Sequence, residues 1–190
     1  MKDSLAILRN KKSTTKDFRK SADEVARALA EEVSSKMSTW RLNLQVGGKR
    51  KIILVPILRA GLALLPAFLE AFPNAPVGFI GLKRNEKNLK PKAYYQNIPK
   101  ISKTDVVIVL DPMLATGGSA VAGITTLVNA GAHEKNIIFV GVISAPEGIA
   151  NVQNNFPLVQ ILCAEYDKRL DKKGYIVPGL GDFGDRYFGN

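Results

Sequence analysis

The apolar residues of this chain fall into two kinds of pattern. Residues 51–57 (KIILVPI), 77–82, 106–110 (VVIVL), 137–143 and 158–164 are short, nearly unbroken apolar runs, most of them rich in β-branched residues. That is the pattern of strands buried on both faces. Residues 15–37 differ. Phe18, Ala22, Val25, Leu29 and Val33 recur at helical spacing with charges between them, which predicts one long packing helix capped by Ser13 or Thr14. Further helices are predicted over 62–72, where Pro66 marks a kink or a late start, over 119–129, closed by Gly131, and after Ala145, with Pro146 in the first turn.

Between these runs, residues 40–46 alternate like an exposed strand and Gly47-Gly48-Lys49 forms a turn. Residues 83–103 are polar and basic, with Tyr94-Tyr95 and two prolines, and read as a protruding arm or hairpin. Residues 165–190 are rich in Gly and Asp and lack periodicity; a segment of that kind lies over a site rather than in a core. Strands alternating with helices predict an α/β fold with a central parallel sheet covered on both faces. Ligands bind such sheets at the carboxyl ends of the strands. Arg59 and Asp111 each follow a strand end, so both are expected to face one crevice.

Composition narrows this picture. The 190 residues suit one domain, and 46% hydrophobic with 23% charged residues reads as soluble and globular. Lys and Arg interrupt every apolar run well before membrane-spanning length, and the segment MKDSLAILRNKK lacks the apolar core of a signal peptide. A cytoplasmic location is expected. The single Cys163 has no disulfide partner and lies in an apolar run, so it is expected to be a buried thiol. His133 is the only histidine, which excludes a Cys/His zinc site. The formal charge of +10 and a pI of about 9.7 allow non-specific electrostatic binding of nucleic acid and equally suit an enzyme whose substrate carries a monophosphate and a diphosphate. The Lys and Arg residues are spread along the chain without a nucleic-acid motif, so nucleic acid is not an expected partner.

The chemistry centres on residues 106–119, VVIVLDPMLATGGS. Pro112 ends the strand, because it has no N–H for the ladder. Thr116, Gly117, Gly118 and Ser119 then lead into a helix. Glycines allow close backbone approach, and helix N-terminal N–H groups point at an anion. The Lys of a Walker loop is missing, and so is G-x-G-x-x-G. Instead Asp111 sits at the strand end, where a carboxylate accepts hydrogen bonds from sugar hydroxyls. The implied ligand is a ribose 5-phosphate unit. A bare T-G-G-S turn would read as an ordinary strand-to-helix turn; the longer run DPMLATGGSA is far more specific.

That run closely resembles the phosphoribosyl diphosphate (PRPP) loop of the uracil phosphoribosyltransferase family. The segment GYIVPGLGDFGDRYFG near the end resembles the same family's uracil-binding segment. PILRAG (56–61) looks like its diphosphate loop, GLKRNEKNLKPKAYY (81–95) like its arm, and APEGI (145–149) like a further stretch to which only structure is assigned. The resemblance spans nearly the whole chain. It implies the type I phosphoribosyltransferase fold with a protruding β-arm and a small C-terminal hood at about 165–190. The implied reaction is uracil plus PRPP giving UMP and diphosphate.

By resemblance, Asp111, Pro112, Met113, Leu114, Ala115, Thr116, Gly117, Gly118 and Ser119 hold PRPP, with Arg59 on its diphosphate and Arg84 and Asp182 as further contacts. Arg59, Asp111 and Asp182 are the implied catalytic residues. Ile176 and Gly181 offer backbone groups to uracil beside Asp182, and Tyr175 or Phe183 covers its ring. Mg²⁺ is implied as cofactor, held mainly through PRPP rather than by protein ligands. A homodimer or homotetramer and GTP as an effector are implied as well. Phe183 stands where many members carry Ala, which predicts a narrowed base pocket. Lys87, Asn88 and Lys90 make the arm more basic than the acidic arm of many members. A leading segment and an insert near Gly47 that many members carry are missing, which bears on the oligomer contacts. Two alternatives stand beside this reading: a phosphoribosyltransferase for another base or an RNA-binding pyrimidine regulator, and a silent PRPP or nucleotide sensor.

Overall fold

The structure, a computed structural model, describes residues 1–37, 50–84 and 91–190, with only the backbone of Arg84 and Pro91. The predicted strand at 40–46, the turn at Gly47-Gly48-Lys49 and the arm residues Lys87, Asn88 and Lys90 lie outside the described residues.

The chain opens with helix α1 (Lys2–Arg9), which the apolar pattern did not predict. Helix α2 (Thr15–Lys36) follows as expected, with the Thr14 side chain accepting from the Asp17 N–H at its start. Strand β1 (Ile52–Leu58) runs into a 3₁₀ turn, Ala60–Ala63, and then α3 (Leu65–Ala71). Pro66 therefore marks a late helix start rather than a kink, because a first-turn residue has no intrahelical partner for its N–H. β2 (Phe79–Arg84) and β3 (Pro91–Asn97) pair antiparallel and form the arm. β4 (Val106–Leu110) leads through Asp111-Pro112 to a two-residue continuation, β5 (Met113–Leu114). The rest alternates: α4 (Gly118–Asn129), β6 (Ile137–Ser144), α5 (Pro146–Asn155) and β7 (Gln160–Tyr166). Two short strands, β8 (Arg169–Leu170) and β9 (Ile176–Val177), and helix α6 (Phe183–Phe188) make the C-terminal hood.

Among the described residues, β1, β2, β4, β5, β6 and β7 are joined by parallel pairings, and β3 pairs antiparallel at the edge. Strand side chains alternate between faces, and both faces are buried, which is why the strands read as unbroken apolar runs. Leu54, Ile108, Leu110, Ile138 and Val140 join α1, α2, α3 and α6 on one side. Ile53, Val55, Val107, Val109, Ile137 and Phe139 join α4 and α5 on the other. Cys163 lies in this second layer, and burial pushes its thiol up to about 12, so it stays protonated. No described helix is long and apolar enough to cross a membrane.

Candidate active site

In register, Pro56 of β1 lies beside Leu110 of β4, so the segments that follow the two strands leave the same edge of the sheet. Gly61 brings them closer. A Cβ there would fall 2.2 Å from the Leu110 carbonyl oxygen and 3.1 Å from the Pro56 Cα. Only a residue without a side chain fits, and this is the physical reason for the glycine of PILRAG. Arg59 is thereby held at the rim beside the end of β4. The Leu58–Arg59 peptide bond is cis, and the Arg59 side chain is exposed.

Asp111 is half-buried at the end of β4. Loss of solvent around its carboxyl pushes its pKa from 3.8 up to about 7, against a weak hydrogen bond accepted from the Met113 N–H at 3.5 Å. The chain then pairs once more with β6 through β5, which puts Leu114 beside Ser144. Residues Met113 to Ala120 curl around a cavity of about 90 Å³, suited to a phosphate group. Gly117 stands in the left-handed conformation, φ 78°, as N-cap of α4, and supplies no side-chain cap. The first N–H groups of a 12-residue helix are thus presented at this cavity. Thr116 and Ser119 are exposed beside them.

The APEGI segment, read from sequence as structural, buttresses this loop. The Asn151 Nδ2 group donates to the Thr116 carbonyl at 2.8 Å. A Cβ on Gly148 would fall 2.4 Å from the Ala115 carbonyl oxygen. Glu147 accepts from the Leu170 N–H at 2.9 Å and so ties α5 to the hood. That hydrogen bond lowers the Glu147 pKa. Glu147, Gly148 and Asn151 are supporting residues that sequence reasoning did not single out; apart from the APEGI resemblance, nothing in the sequence marks them.

The hood closes the third side. Gly174 approaches the phosphate loop, since a Cβ on it would lie 3.5 Å from the Thr116 methyl. Tyr175 is exposed, and Ile176 is buried in β9. Gly181 is exposed with φ 81°, just before Asp182. Asp182 caps α6 by accepting from the Asp185 N–H at 2.9 Å. Helix α6 reaches Arg59, whose Nη2 lies 3.4 Å from Asp185 Oδ1 and whose guanidinium lies over the Phe188 ring at 5.8 Å.

Phe183 departs from the expectation. It is 1% exposed, edge-on to Phe18 at 5.1 Å and stacked with Tyr187 at 6.0 Å. A ring next to helix α2 gains more by entering the core than by lining a polar crevice, so it packs inward, away from the crevice. Arg84 ends β2, and its side chain lies outside what is described.

No group of three metal-ligating side chains stands together among the described residues. Mg²⁺ binds through one or two carboxylates with substrate phosphates and water rather than in an all-protein cage. Asp111, which belongs to no such group, fits that manner of binding.

Comparison with known proteins places the chain in a family. A model of the family described as uracil phosphoribosyltransferase matches residues 1–190. The uracil phosphoribosyltransferase of Clostridium acetobutylicum is 47% identical over 195 residues, covering 97% of this chain and 92% of its own. That of Finegoldia magna is 46% identical over 198 residues, covering 100% of this chain and 94% of its own. Among solved structures, the AQ2163 protein from Aquifex aeolicus superposes with a TM-score of 0.84 at 33% identity, covering 98% of this chain and 93% of that one. A purine phosphoribosyltransferase from Pyrococcus horikoshii shares the fold, with a TM-score of 0.53 at 19% identity over 80% of this chain and 83% of its own. The chain belongs to the uracil phosphoribosyltransferase family.

Proposed function

We propose that the crevice ringed by the Arg59 loop, the 111–119 loop and the hood is where this enzyme carries out its family's reaction. The 5-phosphoribosyl group of PRPP passes to uracil, giving UMP and diphosphate, a step of pyrimidine salvage. The observation that carries the assignment is the convergence of three loops. Gly61 packs on the end of β4, Gly174 on Thr116, and Asp185 on Arg59.

Each part has a physical role. The N-terminus of α4, with Thr116 and Ser119, holds the 5-phosphate, a remote anchor whose binding energy serves the reacting centre. Asp111 accepts hydrogen bonds from the ribose hydroxyls and fixes the sugar. Arg59 offers its fork to the diphosphate and stabilises charge as that group leaves. The bond from C1 of the ribose to the diphosphate oxygen breaks as the bond to N1 of uracil forms, and the N1 proton passes to the released diphosphate or to water, so no covalent nucleophile on the protein is needed. Backbone groups at Ile176 and Gly181 hold the edge of uracil, Tyr175 covers its ring, and Asp182 reaches PRPP from the hood. Asp111 and the substrate's phosphates would hold Mg²⁺, which when bound neutralises charge on the diphosphate.

A cytoplasmic location and a homo-oligomeric state, dimer or tetramer, complete the reading. Tyr94 and Tyr95, exposed on the arm at 59% and 46%, support a pairing surface there. The test is incubation with PRPP, Mg²⁺ and each of several bases, with the nucleotide detected. UMP formation alone is expected; no turnover with any base would leave only a sensor. Repeating the assay with GTP tests the effector.

A further inference from the structure

Two arginines join the N-terminal helix α1 to the hood. Arg9, the last residue of α1, makes a two-pronged ion pair with Asp167. Its Nη2 lies 2.6 Å from Oδ1 and its Nη1 donates to Oδ2 at 2.9 Å. Asp167 is 3% exposed in its side chain and Arg9 24%. Asp167 Oδ2 also accepts the Gly179 N–H at 2.8 Å, and Arg9 Nη1 donates to the Gly179 carbonyl at 3.0 Å. Both backbone groups of Gly179 are thus held by the two halves of one ion pair. Arg186 donates in parallel to the carbonyls of Leu8, Leu180 and Asn10.

Gly179 stands three residues after Ile176 and two before Gly181. The segment from Pro178 to Asp182 has no regular secondary structure to fix it. Its placement relative to the phosphate loop runs through Asp167. The Asp167 N–H donates to the Ser144 carbonyl at 2.8 Å, and Ser144 pairs in register with Leu114 of the PRPP loop. An unbroken chain of contacts therefore leads from the phosphate loop through Ser144 and Asp167 to Gly179.

We propose that Arg9 and Asp167 are positioning residues for the reaction: their ion pair clamps the backbone of Gly179 and so sets the base-binding loop in register with the PRPP loop. The proposal rests on the reading of residues 176–181 as that loop. Neither residue touches substrate. A buried ion pair adds little net stability but costs heavily when only one partner is removed, so its value lies in the geometry that it fixes. Displacing a substrate-positioning group by an ångström is enough to cost a large factor in rate.

The experiment compares Arg9→Met, Arg9→Lys and the double variant Arg9→Met/Asp167→Asn with the unaltered chain. The double variant leaves no buried charge unpaired and keeps an acceptor for the Gly179 N–H, so it retains the fold if a single variant does not. We expect kcat/KM for uracil to fall about tenfold in the double variant, with the Kd for PRPP unchanged within about twofold. Arg9→Lys, which keeps the charge but loses the fork, falls between the two. Native kcat/KM for uracil in the folded double variant overturns the proposal. So does an equal loss for uracil and PRPP, which would mark a purely structural pair. Amide exchange in the unaltered chain with and without UMP separates the proposal from the reading beneath it. Without protection of residues 176–181 by UMP the loop reading fails; with protection and unchanged uracil kinetics, only the clamp fails.

Discussion

Arg59 and Asp185 meet at 3.4 Å across the gap between the diphosphate loop and the last helix. Both side chains are more than half exposed, so the pair contributes little to stability. Its meaning is geometric: Arg59 rests on the hood, and with the role proposed for it the diphosphate of PRPP would compete with Asp185 for the guanidinium.

Arg59→Lys is therefore expected to weaken PRPP binding more than UMP binding. Lys cannot reproduce the forked contact with phosphate oxygens, and UMP has no diphosphate. Titration of both ligands into the variant decides this. Equal weakening would place Arg59 on the shared 5-phosphate or on folding.

Asp111 gives a pH prediction. Its pKa rises from 3.8 to about 7 in the folded chain, so the folded state holds this proton more tightly than the unfolded one. This contribution makes stability fall as pH rises between about 3.8 and 7, and it is constant above. Asp111→Asn removes it. The melting temperature of the variant relative to the parent should rise from about pH 4 to about pH 8, while activity falls at least about tenfold through lost ribose positioning. In the parent, kcat/KM for PRPP should decline below about pH 7, where the carboxyl is protonated and can no longer accept two hydroxyl hydrogen bonds. Full activity in the variant would remove Asp111 from this role.

The sheet and the glycine loop that opens α4 are readable because both depend on local pattern. Buried strands need apolar runs, and a phosphate loop needs glycines before a helix. The segments that escaped were fixed by distant partners. Helix α1 is only eight residues long, too short for its apolar spacing to stand out, and Arg9 and Arg186 tie it to residues about 160 positions or more away in the chain. The resemblance puts Phe183 at the base because it falls within the uracil-binding segment; Phe18, on a helix 165 positions earlier in the chain, draws its ring into the core. The two-residue strands β5, β8 and β9 carry too few positions for any period to register.

Phe183→Ala follows from that correction. Removing a fully buried ring that packs on Phe18 and Tyr187 should cost about 3–5 kcal/mol. The ratio of uracil to other bases should stay the same, since the ring is not in the crevice. Thermal unfolding paired with base competition reads both; a change in base preference without loss of stability would return Phe183 to the pocket.

Gly117→Ala should damage the phosphate loop. At φ 78° an L-residue carries a backbone cost of about 1–2 kcal/mol. Its Cβ would also lie 2.8 Å from the Gly148 carbonyl oxygen and 3.1 Å from the Asn151 Cβ. A melting point lower by about 3–8 °C and weaker binding of both PRPP and UMP are expected, because the two ligands share the 5-phosphate. Binding of PRPP and UMP at parental strength would mean that the phosphate lies elsewhere.

Base choice tests the hood. Uracil presents an N3–H donor and an O4 acceptor along one edge, and cytosine presents an acceptor and an amino donor in their place. A backbone held as rigidly as that around Gly179 cannot exchange an N–H for a C=O to suit the second base. Cytosine would leave two polar groups facing like partners, at about 1–3 kcal/mol for each. Two such mismatches correspond to a preference for uracil of about 30-fold or more in kcat/KM. Competition between the two bases at fixed PRPP, followed by separation of UMP from CMP, measures that ratio. Equal yields would show that the edge is read by something other than the fixed backbone of residues 176–181.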